Sequence, residues 1–435
     1  MSAIIGIRRE DKNKWERRVP LIPTDTSDLQ TKQGMRFLVQ HSSVRVYTDD
    51  EYRSAGVEVN ENLRPASVIF AIKEIPPHLL LPGKTYIFFA HVVKGQPHNM
   101  PMLRRLMELG CSLVDYEKIT DGQKRRLIFF GRHAGYAGMI ETLRGLGQRL
   151  AMSGVSTPLA QVCPAFKYRD LKEAKAHITA LGDEMVRQPQ ARSLVFGFSG
   201  YGNVSIGAQE VFDCLEPVEV DVADLPAAAG EAAGPRPLKV VFREEHMVER
   251  KDQSIPFNLF EYYDHPERYE GCFETYLPHL DVLVNCIYWD QRYPRLVTRE
   301  WAKRNYLPGC TPRLKVIGDI SCDIEGSVEL TVKVTDPDHP CFVYLPEQNS
   351  VRDGVEGNGP VIMAVDNLPC EIPRESSQYF SSVLRDMVAP LVNADWHVPF
   401  EKLDLPPCLK RAVIVHQGRL TPDYQYIEQH LEAHP

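Results

Sequence analysis

The stretch Leu194-Val-Phe-Gly-Phe-Ser-Gly200-Tyr-Gly202-Asn-Val-Ser205 decides the fold class of this 435-residue chain. Its first five residues predict a buried strand, its glycines a tight turn, and the residues through Val211 and Phe212 a helix. That order is typical of a dinucleotide-binding unit, in which the second glycine lets a pyrophosphate approach the N–H groups at the start of the helix. Because Ser205 replaces the third glycine of G-x-G-x-x-G, a glycine turn in a non-binding α/β unit stays open as the alternative.

An acidic residue follows the turn at the spacing of a dinucleotide site. Asp221 lies 21 residues after Gly200, at the end of the next predicted strand, where an acid would bind the adenosine ribose. An acid there favours NAD because it repels a 2′-phosphate, but it does not decide between NAD and NADP. The predicted cofactor-binding residues of this unit are Gly200, Gly202, Asn203, Val204 and Asp221.

Composition and charge exclude several classes of protein. Hydrophobic residues make up 43% and charged residues 25% of the chain, so a wholly disordered chain is excluded. The net charge of −8 gives no basic surface for nucleic acid, and no apolar run approaches the ~18 residues of a membrane span. The ten cysteines form no C-x-x-C pair, no H-E-x-x-H is present, and no signal peptide is seen. We therefore expect a cytoplasmic, metal-free protein with reduced thiols.

Short β-branched or aromatic segments alternate with helical patterns along the chain, which favours an α/β fold. Several of the strands are apolar throughout, as expected for parallel strands covered on both faces. The predicted strands include Ala3–Ile7, Arg36–Val39, Val68–Ile72, Thr85–Phe89, Ser112–Asp115, Leu194–Phe198, Glu216–Val220, Val282–Cys286 and Lys315–Ile320, and the predicted helices include Met102–Leu109 and Asp170–Leu181. The Ala/Gly-rich segment Pro226–Pro235 predicts an inserted surface loop, and the small residues of Gly131–Gly138 favour close packing of a helix.

Two polar residues follow predicted strands at positions where α/β folds bind ligands. Lys73 comes directly after Val68–Ile72, and His91 comes soon after Thr85–Phe89. The carboxyl ends of parallel strands meet at one edge of a sheet, so both side chains are expected at that edge. Taken singly, each residue is more often a solvated surface charge.

Together, the motifs of the chain resemble a known family. They are Arg8-Arg-Glu through Glu16-Arg-Arg18, Phe88-Phe-Ala-His91 with Lys94 and Gln96, Asp115-Tyr-Glu117, Phe130-Gly-Arg-His-Ala-Gly135, His265-Pro-Glu-Arg-Tyr269, Asn285-Cys-Ile-Tyr-Trp289, Asp319-Ile-Ser-Cys-Asp323 and Val365-Asp-Asn-Leu-Pro369. The chain looks like the lysine-forming saccharopine dehydrogenases and lysine–2-oxoglutarate reductases, above all the N-terminal reductase half of bifunctional aminoadipic semialdehyde synthase. More distantly, it is similar to alanine dehydrogenase and the soluble part of transhydrogenase.

The resemblance implies two α/β domains with a cleft between them. A Rossmann-type domain at residues 185–340 would bind the dinucleotide, and a discontinuous, alanine-dehydrogenase-like domain, residues 1–184 and 341–435, would bind the substrates. The implied reaction joins L-lysine to 2-oxoglutarate and reduces the imine with NAD(P)H to saccharopine, or runs in reverse. It implies NADP, with NAD possible, and allows a homo-oligomer. Since no second dehydrogenase domain follows residue 435, we expect a stand-alone reductase.

The resemblance also assigns residues to the chemistry. It implies that Lys73 accepts a proton, that His91 donates one, and that Glu117 tunes the pKa values of both. Arg18 would bind a substrate carboxylate through its guanidinium. The remaining positions implied by the family pattern are Gln96, Arg126 and Phe130 for substrate, and Arg125, Asp319 and Ser321 for cofactor.

One departure from the family pattern keeps alternatives open. Arg132 and His133 replace an apolar–aromatic pair, which leaves the amino-acid substrate open. An alanine- or opine-type dehydrogenase is one alternative, and a catalytically inactive NAD(P)-binding member is another. The presence of Arg18, Lys73 and His91 argues against the inactive member, because a sensor does not need a proton-transfer pair.

Overall fold

The structure is a computed structural model that describes residues 4–187, 193–230, 234–310 and 312–433. It divides the chain into two compact units: unit 1 is Met1–Phe129 with Pro373–Pro435, and unit 2 is Phe130–Ile372. Ala3 of the first predicted strand and residues 231–233 of the predicted loop lie outside the described residues.

Each predicted strand is found, with described ends shifted by no more than two residues. The strands are β1 (Ile4–Ile7), β2 (Arg36–Val39), β3 (Glu58–Val59), β4 (Val68–Phe70), β5 (Thr85–Phe88), β6 (Ser112–Asp115), β7 (Val195–Ser199), β8 (Val218–Glu219), β9 (Leu238–Phe242), β10 (Val248–Arg250), β11 (Tyr269–Gly271), β12 (Val282–Asn285), β13 (Val316–Asp319), β14 (Cys341–Leu345), β15 (Ser350–Asp353), β16 (Val361–Met363), β17 (Val413–His416) and β18 (Arg419–Leu420). The α-helices are α1 (Pro23–Gln33), α2 (Asp49–Ser54), α3 (Met100–Glu108), α4 (Gly131–Met152), α5 (Leu171–Arg187), α6 (Asn203–Phe212), α7 (Leu225–Gly230), α8 (Glu244–Met247), α9 (Leu259–Asp264), α10 (Arg299–Asn305), α11 (Pro373–Asn393), α12 (Pro407–Lys410) and α13 (Glu428–Ala433).

Unit 1 is built on an eight-stranded sheet of order β18-β17-β6-β5-β4-β1-β2-β3. The six strands from β6 to β3 are parallel, whereas β17 from the C-terminal segment pairs antiparallel with β6. The parallel register brings the carboxyl ends of β1, β4, β5 and β6 to one edge of the sheet, where ligands bind in such folds.

Unit 2 is built on a second eight-stranded sheet, of order β15-β14-β16-β13-β12-β7-β9-β8. Its central strand β7 pairs in parallel with β12 and with β9. Alternate side chains of β7 point to opposite faces: Phe196 and Phe198 pack on Phe212 of α6, while Val195 joins the core on the other face. Both faces of β7 are thus covered, which explains its uniformly apolar sequence.

Two glycines set the distance between α4 and α6. A Cβ added at Gly135 would lie 2.1 Å from the carbonyl oxygen of Val204, and one at Gly207 would lie 2.1 Å from that of Arg132. The two helices therefore meet backbone to backbone, at a distance that any side chain would prevent. The prediction of close helix packing for Gly131–Gly138 is confirmed.

A pair of buried glutamates joins α4 to the turn that ends unit 2. Glu141 accepts the N–H of Ala165 (2.6 Å) and a hydrogen bond from Arg144 (2.9 Å). Burial raises the pKa of Glu141, and burial together with Glu141 raises the pKa of Glu371 well above its usual range. Because no donor among the described residues reaches the Glu371 oxygens, their burial favours the protonated form of this carboxyl.

The unit boundaries differ from the expected 184/185 and 340/341. Helix α4 belongs to unit 2 because of its contact with α6, and β14 to β16 extend the sheet of unit 2 beyond residue 340. The predicted surface loop Pro226–Pro235 is wrong for residues 226–230, which belong to α7. Alanine favours helix strongly enough to hold this short turn.

Candidate active site

Lys73 lies just beyond the end of β4, in unit 1, on a backbone that is fixed by a buried carboxylate. Glu10 accepts hydrogen bonds from the N–H groups of Ile72 (2.7 Å) and Lys73 (2.9 Å). Burial, reinforced by the charge of Glu16, raises the pKa of Glu10 to about 7. The sequence analysis missed Glu10, since its partners are 62 and 63 residues away.

The amine of Lys73 lies in an environment that favours its neutral form. Burial lowers the pKa of Lys73, and the positive charge of Arg18 lowers it further. Arg18 is itself buried and makes a bidentate ion pair with Glu16, from Nε to Oε1 at 2.7 Å and from Nη2 to Oε2 at 2.6 Å. A lysine whose pKa is lowered in this way is more readily deprotonated and so better suited to accept a proton.

His91 is linked to Lys73 through Glu74, the residue that follows Lys73 in the sequence. The Nδ1 atom of His91 lies 2.6 Å from Oε1 of Glu74, and Lys12 lies 3.0 Å from Oε2 of the same carboxylate. Burial pushes the pKa of Glu74 upward, but the hydrogen bond and charge of His91 and the charge of Lys12 hold it below its usual range. A carboxylate on Nδ1 leaves Nε2 as the atom that exchanges a proton with a ligand. The sequence analysis did not predict a role for Glu74, although its position next to Lys73 in the sequence could have indicated one.

The backbone of His91 is in the left-handed region, with φ of +47°. Its carbonyl accepts a hydrogen bond from Asn99 (3.1 Å), and its ring lies nearly parallel to that of Phe89, with centroids 6.2 Å apart. These contacts hold a conformation that costs energy for any residue other than glycine. The imidazole is therefore oriented before any ligand binds.

Glu117 and Arg126 form an ion pair with each other. The acid of this segment that contacts the backbone beside His91 is Asp115, which accepts the N–H groups of Ala90 (3.3 Å) and Glu117 (2.8 Å). Burial raises the pKa of Asp115 to about 6. The sequence analysis missed Asp115, and the role expected of Glu117 stays a prediction.

The other predicted residues of unit 1 take part in local structure. Arg125 is largely exposed and donates from Nε to Asp121 at 2.7 Å. Gln96 lies in the turn after His91, where its Oε1 accepts the N–H of Lys94 at 3.2 Å. Both residues are close in sequence to the sheet edge, but their contacts are local and give no evidence of a ligand.

Phe130 belongs to unit 2, where it immediately precedes α4. Its ring meets that of His133 edge to face at 6.1 Å. The neighbouring Arg132 forms an ion pair with Glu210 on α6. The two residues that depart from the family pattern therefore help to join α4 to its surroundings within unit 2.

Asp319 and Ser321 lie at the carboxyl end of β13, as predicted, but their side chains are engaged. Buried Asp319 accepts hydrogen bonds from Asn285 (2.8 Å) and Thr331 (2.5 Å), and burial raises its pKa to about 6. The hydroxyl of Ser321 donates to the carbonyl of Ile287 at 2.6 Å. These bonds tie together the strand ends next to β7.

The glycine turn has the features that a pyrophosphate requires. Gly200 has φ of +84°, which favours glycine, and its N–H donates to the carbonyl of Phe242 (2.9 Å). Helix α6 begins after Gly202 without a side-chain cap, and a Cβ at Gly202 would meet nothing within 4 Å. Asn203 and Val204 form the first turn of α6, whose N–H groups are available to an anion.

A cavity of about 470 Å³ adjoins this turn. Its lining includes Gly200, Gly202, Glu244, Tyr262, Tyr263 and Tyr288. An aromatic cavity with a few polar groups, beside a glycine turn, fits the adenosine end of a dinucleotide.

The strand order puts Asp221 away from this cavity. Strand β9 lies between β7 and β8, so the neighbour of β7 ends at Phe242 and leads into Arg243 and Glu244. Asp221 follows the edge strand β8 and does not line the cavity, because β8 and α7 are inserted before β9. The acid that takes the expected position is Glu244, which the sequence analysis missed.

No cluster of three or more His, Cys, Asp or Glu side chains in the described part of the chain could hold a metal ion. No described helix is both long and apolar enough to cross a bilayer.

Comparison with known proteins relates the chain to several dehydrogenases. Residues 6–137 match the family described as alanine dehydrogenase/PNT, N-terminal domain. A solved structure of L-alanine dehydrogenase matches 98% of this chain and 99% of its own, with a TM-score of 0.61 at 17% identity, which establishes the shared two-sheet fold.

Two curated relatives extend over most of the sequence. The alpha-aminoadipic semialdehyde synthase of Arabidopsis thaliana is 37% identical over 456 residues, which cover 100% of this chain. The chain spans less than half of that relative, 42% of its length. The saccharopine dehydrogenase [NAD(+), L-lysine-forming] of Emericella nidulans is 27% identical, and the match covers 87% of this chain and 90% of the relative.

Proposed function

Because this chain is homologous over its whole length to part of alpha-aminoadipic semialdehyde synthase, and its residues 6–137 belong to the alanine dehydrogenase/PNT N-terminal domain family, we propose that it is an oxidoreductase acting on a carbon–nitrogen bond. It joins the ε-amine of L-lysine to the ketone of 2-oxoglutarate and reduces the imine to saccharopine, or catalyses the reverse. The observation that carries the proposal is the arrangement in unit 1, where Lys73 has a lowered pKa beside Arg18, and Glu74 connects it to His91.

The acid–base residues have distinct parts in this reaction. Lys73 takes a proton from the substrate ammonium, which leaves the amine lone pair free to attack the ketone carbon. His91, oriented by Glu74, donates from Nε2 to the carbinolamine oxygen, which leaves as water when the C–O bond breaks. The second proton lost by the nitrogen goes to the alkoxide oxygen formed in the addition, which gives the neutral carbinolamine. The proton held by Lys73 then replaces the one that His91 gives up when water leaves.

Binding of the substrates calls for cations, since both carry carboxylates. The guanidinium of Arg18 is buried and is held through Nε and Nη2 by Glu16, so a substrate carboxylate would share a cation whose position is already fixed. Arg126 is more exposed and is paired with Glu117, so a carboxylate would have to displace that partner. We assign Arg18 the primary contact and Arg126 a secondary one.

The reduced nicotinamide dinucleotide supplies the hydride. The glycine turn of unit 2, the uncapped start of α6 and the aromatic cavity beside Gly200 would hold it. The open space at Gly202 supports this assignment, because a pyrophosphate could enter it and a side chain at this position would fill it. Among the two nicotinamide dinucleotides, we propose NADP as the preferred one.

The test is a substrate screen with the purified chain. Lysine with 2-oxoglutarate should oxidise NADPH, followed by loss of nicotinamide absorbance, and the product should have the mass of saccharopine. Alanine with pyruvate serves as the competing pair. Lys73→Met should lower turnover by ~10²–10⁴-fold. Lys32→Met, which changes an exposed lysine on α1 that pairs with Asp28, should leave turnover unchanged. Turnover with alanine and none with lysine would overturn the proposal.

A further inference from the structure

Arg243 lies at the end of the strand next to the glycine turn. It follows Phe242, the last residue of β9, whose carbonyl accepts the N–H of Gly200 at 2.9 Å. The Arg243 guanidinium carbon is 4.9 Å from the ring centroid of Tyr201, which stands between the two glycines of the turn. The strand order, rather than the sequence spacing, thus brings an arginine to the position where the ribose of a dinucleotide lies.

The contacts of Arg243 leave its charge available. Among the described residues it forms no ion pair, whereas Arg236 pairs with Glu216 and Arg250 with Glu261. Its side chain is exposed and lies against the ring of Tyr201. A stacked guanidinium keeps its N–H fork free for two phosphate oxygens.

The side chain of the next residue, Glu244, contacts Tyr263 in the aromatic cavity. Its Oε1 accepts the hydroxyl of Tyr263 at 2.7 Å, and its side chain lines the aromatic cavity. The carboxylate is therefore fixed inside the adenosine cavity, while the guanidinium lies outside it over the glycine turn. An acid in this position would favour a free ribose hydroxyl, so the two residues have opposite preferences.

We propose that Arg243 binds the 2′-phosphate of the adenosine ribose and is the residue that makes the chain prefer NADPH over NADH. The inference rests on the proposed dinucleotide site in unit 2. It goes beyond that proposal by assigning the preference to one side chain. The ligand class is an adenosine nucleotide that carries a 2′-phosphate.

The experiment measures binding of two nucleotides that lack nicotinamide, by isothermal titration calorimetry on the full chain. Adenosine 2′,5′-bisphosphate and adenosine 5′-monophosphate differ only in the 2′-phosphate. Wild type should bind the first more tightly, and Arg243→Ala should weaken its binding about 10- to 100-fold while leaving the monophosphate within about twofold. Arg243→Lys, which keeps the charge but loses the fork, should be intermediate. Arg236→Ala, an exposed arginine paired with Glu216, is the matched control and should change neither constant.

Three results would overturn the inference. One is equal binding of the two nucleotides by wild type, and a second is unchanged preference in Arg243→Ala. The third is a preference that changes in Glu244→Gln but not in Arg243→Ala, since the acid would then decide. Lysine-dependent turnover is not needed for any of these measurements. A chain that binds the bisphosphate through Arg243 but does not oxidise NADPH with lysine would refute the proposed reaction and leave this inference standing.

Discussion

Replacing Gly202 with alanine should separate dinucleotide binding from folding. The added Cβ would meet no atom within 4 Å, and the φ of −78° at this residue suits alanine. Two small effects oppose each other in stability: alanine is a poorer N-cap than glycine, but it restricts the unfolded chain more. We expect the free energy of unfolding to change by about 1 kcal/mol or less.

The same methyl group would occupy the space through which a pyrophosphate reaches the start of α6. We expect NADPH affinity to fall about 10- to 100-fold, which corresponds to about 1.4–2.8 kcal/mol. Gly207→Ala is the matched control on the same helix. Its Cβ would lie 2.1 Å from the Arg132 carbonyl oxygen, and relief requires α4 and α6 to separate. Overpacking of this kind costs about 3 kcal/mol or more, so this variant should unfold roughly 6–12 °C lower.

Titration calorimetry with NADPH and thermal unfolding followed by circular dichroism give the two readouts. Gly202→Ala should lose binding and keep its unfolding temperature, and Gly207→Ala should lose stability. If Gly202→Ala bound NADPH as wild type does, the turn would not be the pyrophosphate site. If it unfolded as early as Gly207→Ala, the open space at Gly202 would not exist in solution.

Three further outcomes are expected. Lys73→Met should lower kcat by ~10²–10⁴-fold with an unchanged NADPH dissociation constant, and turnover within a few-fold of wild type would refute proton transfer by Lys73. Glu10→Gln should leave one backbone N–H at the end of β4 without its acceptor, costing about 1–3 kcal/mol in urea unfolding and lowering kcat; an unaltered urea midpoint would contradict the contact. The raised pKa values of Glu141 and Glu371 mean that the folded chain holds a proton which the unfolded chain releases, so stability is lost as pH rises above the ordinary pKa of 4.5, by at most about 1.4 kcal/mol per pH unit for one proton. Glu371→Gln should flatten that loss in pH-dependent unfolding, and an equally steep curve would argue against a protonated Glu371 in the folded chain.

The positions of Lys73 and His91 could be predicted because both follow short apolar strands, and parallel strands bring their carboxyl ends to one edge. Their partners could not be predicted in the same way. Glu10 reaches the N–H of Lys73 only after β1 and β4 have paired, and no local pattern marks a carboxylate for that contact. Glu74 was beside Lys73 in sequence, but its bond to His91 depends on the left-handed backbone at the histidine.

The prediction of an acid that binds the ribose shows where a count of residues along the sequence fails. A count from Gly200 assumes that the next strand in sequence is the next strand in the sheet. Here the chain first builds the edge strand β8 and helix α7, and only then returns to pair β9 with β7. Asp221 therefore lies at the expected distance from Gly200 in sequence, whereas Arg243 and Glu244 lie at the expected position in the sheet, after the strand next to β7. Strand order is set by packing across the whole unit, so the number of residues between Gly200 and Asp221 could not predict it.

In the described part of unit 1, three arginines are paired with acids, whereas Lys73 is not. Arg18 is bound by Glu16, Arg126 by Glu117 and Arg125 by Asp121, and each bond stabilises the charged form. Lys73 forms no ion pair among the described residues, and the nearby positive charge of Arg18 lowers its pKa, as does its burial.

A lysine meant only to attract a carboxylate would gain from a carboxylate partner of its own, which would raise its pKa. The opposite shift at Lys73 favours its deprotonated form. The arginines of this edge are therefore suited to hold anions, and the lysine to exchange protons. This division supports the roles proposed for Arg18 and Lys73 more strongly than their order in the sequence does, because it follows from the surroundings of each side chain.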